Sequence, residues 1–186
     1  MATAPAKRSD AVRNHGRVLQ AAQDVFAEAG VDASVDDIAA RAGVGRATVY
    51  RSFPTKDHLI AAVAVERLRA FERLALDAQD QPDAAAAFRH VLVTIAVSHA
   101  RDRAVLEAMR LDGDLPDLAA ARAGTAAALD RLMRSAKRQG RMRRDATPAD
   151  VRALLGGLTH TLTAEQQQDP RVWRRYANLI ADALER

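Results

Sequence analysis

The sequence contains no cysteine, and this absence limits the chemistry available to the chain. Without a thiol there is no disulfide framework, no thiolate zinc site and no cysteine nucleophile, which is consistent with a reducing cytosol. Aromatic residues are also scarce, at 4 % of the chain, and the apolar residues are mainly alanine, leucine and valine. Because this composition favours helices over β-sandwiches, we predict an all-α protein.

Long hydrophobic runs are missing as well. The longest candidate extends from Val91 to Ala100, which is half the length of a membrane span, and it contains His99. The first ten residues are small and polar, and no apolar segment of the kind found in secretory signals follows Lys7 and Arg8. We therefore expect a soluble, cytoplasmic protein with no membrane partner.

Motifs for catalysis and metal binding are a further absence. The chain has five histidines without metal-ligand spacing, and it contains neither a G-x-S-x-G motif nor a phosphate-binding glycine loop. No pair of acids stands out on an apolar helix face. We therefore expect no enzymatic activity, no catalytic residues, no metal and no cofactor.

Apolar residues recur at helical spacing along most of the chain, and they predict about nine helices without strands or repeats. The first helix ends at Gly30, a typical C-cap residue. The composition then suggests three parts. We predict a disordered basic tail over residues 1–12, a small head over residues 13–57 and a larger helical body over residues 58–186.

Two short helices are predicted within the head. Ser34 and Asp37 form a capping-box pair that opens the first of them, which ends at Gly43. A tight turn through Gly45 then leads to the second, which covers residues 46–52, and we expect the two glycines to permit this turn. Two helices joined in this way form a helix-turn-helix.

The second short helix is below the length that is stable alone, so the rest of the head must hold it in place. Val49 and Phe53 share one face at a spacing of four residues and are the expected anchors. Ala47, Thr48 and Arg51 lie on the opposite face. The arrangement predicts a helix whose purpose is to present that face to a partner.

The charge pattern agrees with an anionic partner for this segment. The formal net charge of the chain is only +4, but between residues 38 and 56 there are four cations and no acid. By contrast, the stretch from residue 10 to residue 37 carries six acids. A locally basic surface in a chain of mixed charge favours nucleic-acid binding.

The segments VLQAAQDVFAEAG and SVDDIAARAGVGRATVYRSFPTKDHL, within residues 18–59, resemble the tetracycline-repressor (TetR) family of bacterial transcriptional regulators. The resemblance implies a DNA-binding head followed by a C-terminal domain for ligand binding and dimerisation. Gly45, Ala47 and Ser52 depart from the residues usual in the family, so the operator sequence of a relative cannot be assumed.

We accordingly expect a sequence-specific transcriptional regulator, most simply a repressor that a small-molecule effector releases from a pseudo-palindromic operator. Its expected partners are double-stranded DNA, a second copy of the chain and an unidentified effector, and its expected location is the cytoplasm, in association with the nucleoid. A transcriptional activator, or a helical protein-interaction module on the same fold, are the alternatives.

The expected DNA contacts differ in kind. Arg46 is placed to bond the two acceptors of a guanine, while Thr48 and Ala47 offer groups for other base edges. The resemblance implies that Tyr50 and Lys56 contact phosphates, which position the head without reading sequence. The predicted DNA-binding set is Ser34, Gly45, Arg46, Ala47, Thr48, Tyr50, Arg51, Ser52 and Lys56. Within it, Ser34 has a second explanation as a helix cap, Tyr50 as a core-edge aromatic residue, and the arginines as solvated charges.

Two further sets are predicted in the body. Residues that line an effector pocket, or that are ordinary core, are Phe88, His99, Met109, Met133 and Trp173. The glycine pair at residues 156–157 costs a helix about 1 kcal/mol per glycine, which another closely packed helix would explain. A bend, or a close contact within one chain, would explain it too. The predicted dimer interface is Leu155, Gly156, Leu158, Thr159, Leu162, Tyr176 and Ile180.

Overall fold

The computed structural model describes residues 4–100, 103–108, 110–111 and 115–186, and this part of the chain contains nine α-helices and no strand. This confirms the all-α prediction. A single 3-10 turn, Ala78–Asp80, follows the fourth helix. The helices are α1 (Ala4–Ala29), α2 (Val35–Ala42), α3 (Arg46–Ser52), α4 (Lys56–Asp77), α5 (Ala84–Ser98), α6 (Arg103–Ala108), α7 (Pro116–Arg138), α8 (Pro148–Ala164) and α9 (Pro170–Leu184). None of the helices in the described part is both long and apolar enough to cross a membrane.

The chain forms two compact units. The first comprises Met1–Glu66 and Asp102–Leu118, and the second comprises Arg67–Arg101 and Ala119–Arg186. The predicted boundary at residue 57 differs from this division, because the first half of α4 belongs to the first unit, and so does α6, which packs against α1. The sequence shows where a helix begins. Which residues of a long helix belong to one core is decided by tertiary packing, which the sequence does not show.

The predicted disordered tail is replaced over most of its length by helix, because α1 already begins at Ala4. Pro5 lies in the first turn, where its missing N–H removes no intrahelical hydrogen bond. The alanine, lysine and arginine residues that follow are good helix formers, and the first glycine after them is Gly16. Asp10 and Arg13 also pair one helical turn apart on the surface of α1.

Three helices build the head within the first unit. α1 packs against both α2 and α3, and α2 packs against α3. The side chains that these helices and the end of α3 bury include Val18, Ala22, Val25, Phe26, Ile38, Val49 and Phe53. α3 has only seven residues, and burial of Val49 and Phe53 is what holds it, as the sequence predicted.

The turn between α2 and α3 depends on Gly43. Its φ of 63° lies in the left-handed region, and its N–H reaches the carbonyl oxygens of Ala39 and Ala40 as a C-cap. Arg17 of α1 closes the same helix end, since its Nη2 donates to the Ala42 oxygen at 2.6 Å and to the Gly43 oxygen at 3.3 Å. α2 is therefore fixed at its C-terminus by a conformation and by a side chain.

Replacing Gly43 by alanine is expected to lower the free energy of unfolding by about 1–2 kcal/mol, because a left-handed residue with a Cβ is strained. The new Cβ would also lie 2.7 Å from Arg17 Nη2, so the arginine must leave its place. Urea denaturation followed by circular dichroism measures the change. As a control, Gly16→Ala places a methyl group in open space on α1 and should stabilise the protein by about 0.5–1 kcal/mol. Equal effects of the two substitutions would contradict the role of the turn.

The second unit is organised around α5, which packs most extensively against α9. Its larger core cluster joins residues of α4, α5, α7, α8 and α9, among them Phe88, Leu92, Leu132 and Met133. A smaller cluster surrounds Trp173, whose indole Nε1 donates to the Gln167 oxygen at 2.8 Å. α8 begins with a complete capping box between Thr147 and Asp150, as the Thr-Pro-Ala-Asp sequence indicates.

Candidate nucleic-acid interface

α3 presents one face to its surroundings. Val49 is 1 % exposed and Phe53 5 %, so both anchors are buried. Arg46, Ala47, Tyr50 and Arg51 are exposed, whereas Thr48 and Ser52 are half-buried at the edges of this face. Six of the nine predicted DNA-contacting residues therefore belong to one short helix, and none of the six is buried.

Arg46, the first residue of α3, is held by two neighbours. Its Nη1 donates to Asp36 Oδ2 at 3.0 Å, and its guanidinium carbon lies 5.6 Å from the centre of the Tyr50 ring. Hydrogen bonding to Tyr50, followed by the charge of Asp36, raises the pKa of Arg46. The side chains of Arg46 and Asp36 nevertheless remain 60 % and 64 % exposed, so a partner can reach the guanidinium.

Gly45 is the N-cap of α3, and its role differs from the one we expected. Its φ of −75° and ψ of 150° are accessible to any residue, so the turn does not require a glycine here. A Cβ at this position would meet no atom within 4 Å, and no side chain caps the helix. The expectation that a glycine permits the turn is therefore confirmed for Gly43, whereas the backbone at Gly45 is open to any residue and Gly45 leaves open space at the start of α3.

Ser34 acts as the cap of α2, one of the two explanations that the sequence allowed. Its Oγ accepts from the Asp37 N–H at 3.1 Å and donates to Asp37 Oδ2 at 2.7 Å, while its own N–H donates to the same carboxylate oxygen. These bonds, the one from the hydroxyl first, lower the pKa of Asp37. The side chain of Ser34 is exposed, and a phosphate contact by it stays a prediction.

Lys56 opens α4 and is half-buried. The residue before it, Thr55, caps this helix, because its Oγ1 accepts from the His58 N–H at 3.3 Å. The same oxygen lies 2.8 Å from His58 Nδ1. Lys56 therefore stands at a helix N-terminus, where a cation adds to the attraction for a phosphate.

Three residues of the head escaped the sequence analysis. Asp36 lies in the first turn of α2, and its pairing with Arg46 is visible only in the fold. Arg17 of α1 closes the C-terminal end of α2 through its bond to the Ala42 oxygen. His15 stacks on the ring of Phe53, with ring centres 4.5 Å apart. No sequence signal marks these contacts, because each joins residues of different helices.

The predicted pocket residues fall into two separate clusters of the second unit. Phe88 and Met133 belong to the larger core cluster, and each is 2 % exposed. His99 lies beside Trp173, and its Nδ1 is 3.2 Å from Thr159 Oγ1. Met109 is outside the described residues. A groove of about 440 Å³ lies elsewhere in this unit, between the end of α4 and the start of α5, and includes Leu74, Pro82 and His90 among its lining residues.

The predicted dimer face is rotated relative to the exposed surface of α8. Thr159 and Leu162 are buried within the chain, and Leu155 packs against the larger core cluster. Leu158 and Ile180 are half-buried and also pack on core clusters, whereas Gly156 is half-buried and Tyr176 is 38 % exposed. Thr159 and Leu162 are thus corrected to core residues. The reason is helical phase, since one residue along a helix turns the side chain by about 100°.

The exposed surface of α8 and α9 carries three large apolar side chains beside charged residues of α9 such as Arg174, Arg175 and Asp182. Leu154 is 43 % exposed, Leu179 51 % and Tyr176 38 %, and these three are half of the exposed large hydrophobic residues in the described chain. A Cβ on Gly156 or Gly157 would meet nothing within 4 Å, so no other part of the chain that the structure describes packs closely there. This removes one of the two explanations that rely on a single chain. We call the surface formed by Leu154, Gly157, Tyr176 and Leu179 the α8–α9 surface.

Within the described residues, no group of three or more histidine, aspartate or glutamate side chains is arranged to hold a metal ion. The chemical groups offered by the head are instead hydrogen-bond donors and cations on an exposed helix. Such groups suit base edges and phosphates.

Comparison with known proteins supports the same interpretation of the head. The family model for bacterial regulatory proteins of the tetR family matches residues 18–63. An HTH-type transcriptional repressor of Mycobacterium tuberculosis is 55 % identical over 47 residues. That match spans 25 % of this chain and 25 % of the relative, so it covers only about a quarter of the relative's length.

Solved structures extend the similarity to nearly the whole chain. A TetR transcription regulatory protein from Mycobacterium vanbaalenii is 34 % identical with a TM-score of 0.66, and the match covers 96 % of this chain and 99 % of that chain. SmeT, a repressor from Stenotrophomonas maltophilia solved with triclosan, is 26 % identical with a TM-score of 0.62, and the match covers 91 % of this chain and 88 % of SmeT. Because the identity of 34 % extends over nearly all of both chains, this chain belongs to the TetR family of bacterial regulatory proteins.

Proposed function

We propose that this protein is a sequence-specific DNA-binding transcriptional regulator, most simply a repressor, which acts on chromosomal DNA in the cytoplasm. The observation that carries the proposal is the geometry of α3. Its anchors Val49 and Phe53 are buried, while Arg46 and Tyr50 stay exposed on a helix that has no other evident role. An α-helix fits the major groove of B-DNA, where each base pair shows a distinct pattern of donors and acceptors.

The contacting residues of α3 and the start of α4 make two kinds of contact in this proposal. Arg46 binds a guanine through N7 and O6, and Ala47 and Thr48 contact neighbouring bases. Tyr50 and Lys56 bind phosphates, and the N-terminus of α4 adds a favourable dipole to the second contact. The phosphate contacts fix the orientation of the head, and the base contacts select the sequence.

A second copy of the chain would cover the α8–α9 surface. Isolated exposed leucines are common, but Leu154, Tyr176 and Leu179 lie on two consecutive helices that pack against each other. We propose that this surface packs against its own copy around a two-fold axis. The dimer would place two heads on DNA, so its operator is a pseudo-palindrome with half-sites one or more helical turns apart.

The proposal includes a small-molecule effector bound by the second unit. SmeT, whose structure contains triclosan, supports a ligand for proteins of this fold. An effector lowers DNA affinity only if it binds one conformational state more tightly than the other, and the loss of affinity then equals that difference.

The test is a selection of genomic fragments on the purified protein at about 50 and about 200 mM salt, followed by sequencing, because non-specific binding to phosphates falls steeply with salt. We expect one inverted repeat to be enriched at both concentrations. The retained complexes then serve to screen metabolites of the neighbouring genes, and an effector should release the DNA. If no sequence persists at the higher salt, the protein-interaction alternative replaces the proposal.

A further inference from the structure

The contact between Asp36 and Arg46 joins the two helices of the helix-turn-helix. Asp36 lies in the first turn of α2, and its Oδ2 accepts from Nη1 of Arg46, the first residue of α3, at 3.0 Å. The Tyr50 ring, 5.6 Å away, supports the guanidinium from another side. The arginine is therefore already oriented before DNA arrives.

Structural stability does not explain this contact. Both side chains are more than half exposed, and ion pairs at such positions contribute little to the free energy of unfolding. The pair stands at the start of the exposed helix, next to the open space left by Gly45. The Asp36–Arg46 pair therefore affects the binding of a partner that approaches α3.

Arg46 stays charged, but the carboxylate of Asp36 partly offsets that charge, and this changes its preference between phosphates and base edges. A phosphate attracts Arg46 mainly by charge, and the adjacent carboxylate of Asp36 opposes that attraction. A guanine edge instead requires two donors in a fixed direction, and a guanidinium has five N–H donors. The bond to Asp36 leaves enough of them for N7 and O6 of the base.

We infer that Asp36 is a specificity-determining residue of the head, which orients Arg46 toward a base edge and weakens its binding to backbone phosphates. This inference rests on the proposed DNA-binding function. Asp36 is a positioning residue, since it acts through Arg46. The inference predicts that a protein without this carboxylate has a higher affinity for DNA of any sequence and discriminates less between sequences.

The experiment compares the wild-type protein with Asp36→Asn, which keeps the shape of the side chain and removes its charge. The probes are the selected operator duplex and a shuffled duplex of the same length and composition, bound over about 50 to about 300 mM salt. For Asp36→Asn we expect about fivefold tighter binding to the shuffled duplex at the lowest salt. The slope of the logarithm of the binding constant against the logarithm of the salt concentration should become steeper by about 0.9 for each head. The ratio of specific to non-specific affinity should fall by about fivefold.

Three further variants separate this effect from a general change of charge or fold. Asp32→Asn removes an equal charge from an exposed residue that makes no ion pair among the described residues, and it should leave the salt dependence nearly unchanged. Asp36→Glu keeps the charge and should keep the salt dependence of the wild type. In an Arg46→Ala background, Asp36→Asn should have no more effect than Asp32→Asn.

The outcomes distinguish the inference from the function on which it rests. If the wild-type protein selects an operator but Asp36→Asn changes neither the salt dependence nor the affinity ratio, the inference is wrong and the function stands. If the effect of Asp36→Asn persists without Arg46, Asp36 does not act through that arginine, and the inference is also wrong. If the wild-type protein selects no sequence at either salt, the proposed function fails and the inference fails with it.

Discussion

Replacing Arg46 by alanine is expected to lower the affinity for the selected operator by about a hundredfold to ten-thousandfold. A bidentate arginine–guanine contact is worth about tenfold to a hundredfold in discrimination, and a symmetric dimer loses the contact in both heads. Affinity for a shuffled duplex should change far less, because Asp36 already offsets the charge of Arg46. Fluorescence anisotropy with the two duplexes at one salt concentration measures both quantities.

The melting temperature provides the check on folding. Arg46 is exposed and packs on no buried core, so Arg46→Ala should melt within about two degrees of the wild type. Arg46→Lys is the more specific second variant, because lysine keeps the charge but lacks the paired N–H donors with which arginine binds one guanine. It should retain non-specific binding and lose most of the discrimination. Equal losses on both duplexes would instead make Arg46 a phosphate contact, and early melting would make it a structural residue.

Much of the head could be predicted from the sequence because its signals are local. The capping box at Ser34, the glycine after α2 and the spacing of Val49 and Phe53 each depend on residues within four positions of one another. The structure confirms all three, and with them the presentation of α3. Local rules suffice when a short motif determines its own geometry.

The remaining features depend on contacts between distant residues. Asp36 and Arg46 are ten positions apart and meet only because the turn at Gly43 brings α2 and α3 together. On α8, the sequence shows a wide apolar stripe, and the sequence alone does not tell which edge of that stripe is buried. Which side is buried in its own chain was decided by the packing of Leu162 beside Trp173, and this leaves Leu154 on the surface.

Placing glutamate at both Leu154 and Leu179 is expected to convert the proposed dimer to monomers and to weaken operator binding by at least about a hundredfold. Two linked heads bind with an effective local concentration in the millimolar range, and a monomer loses this advantage although each head is unchanged. Both leucines are exposed, at 43 % and 51 %, so the charges do not enter the core of the chain. Sedimentation at micromolar protein measures the assembly, and anisotropy with the operator and with a half-site measures binding.

The control for this variant is Leu76→Glu on α4, which adds the same charge at a leucine that is 38 % exposed but is not part of the α8–α9 surface. It should remain dimeric and bind the operator like the wild type. The double variant should bind an isolated half-site as well as a wild-type head does, because α3 is untouched. A double variant that stays dimeric would show that another surface joins the two copies. A wild-type protein that sediments as a monomer yet binds an inverted repeat would show that the two heads meet only on the DNA.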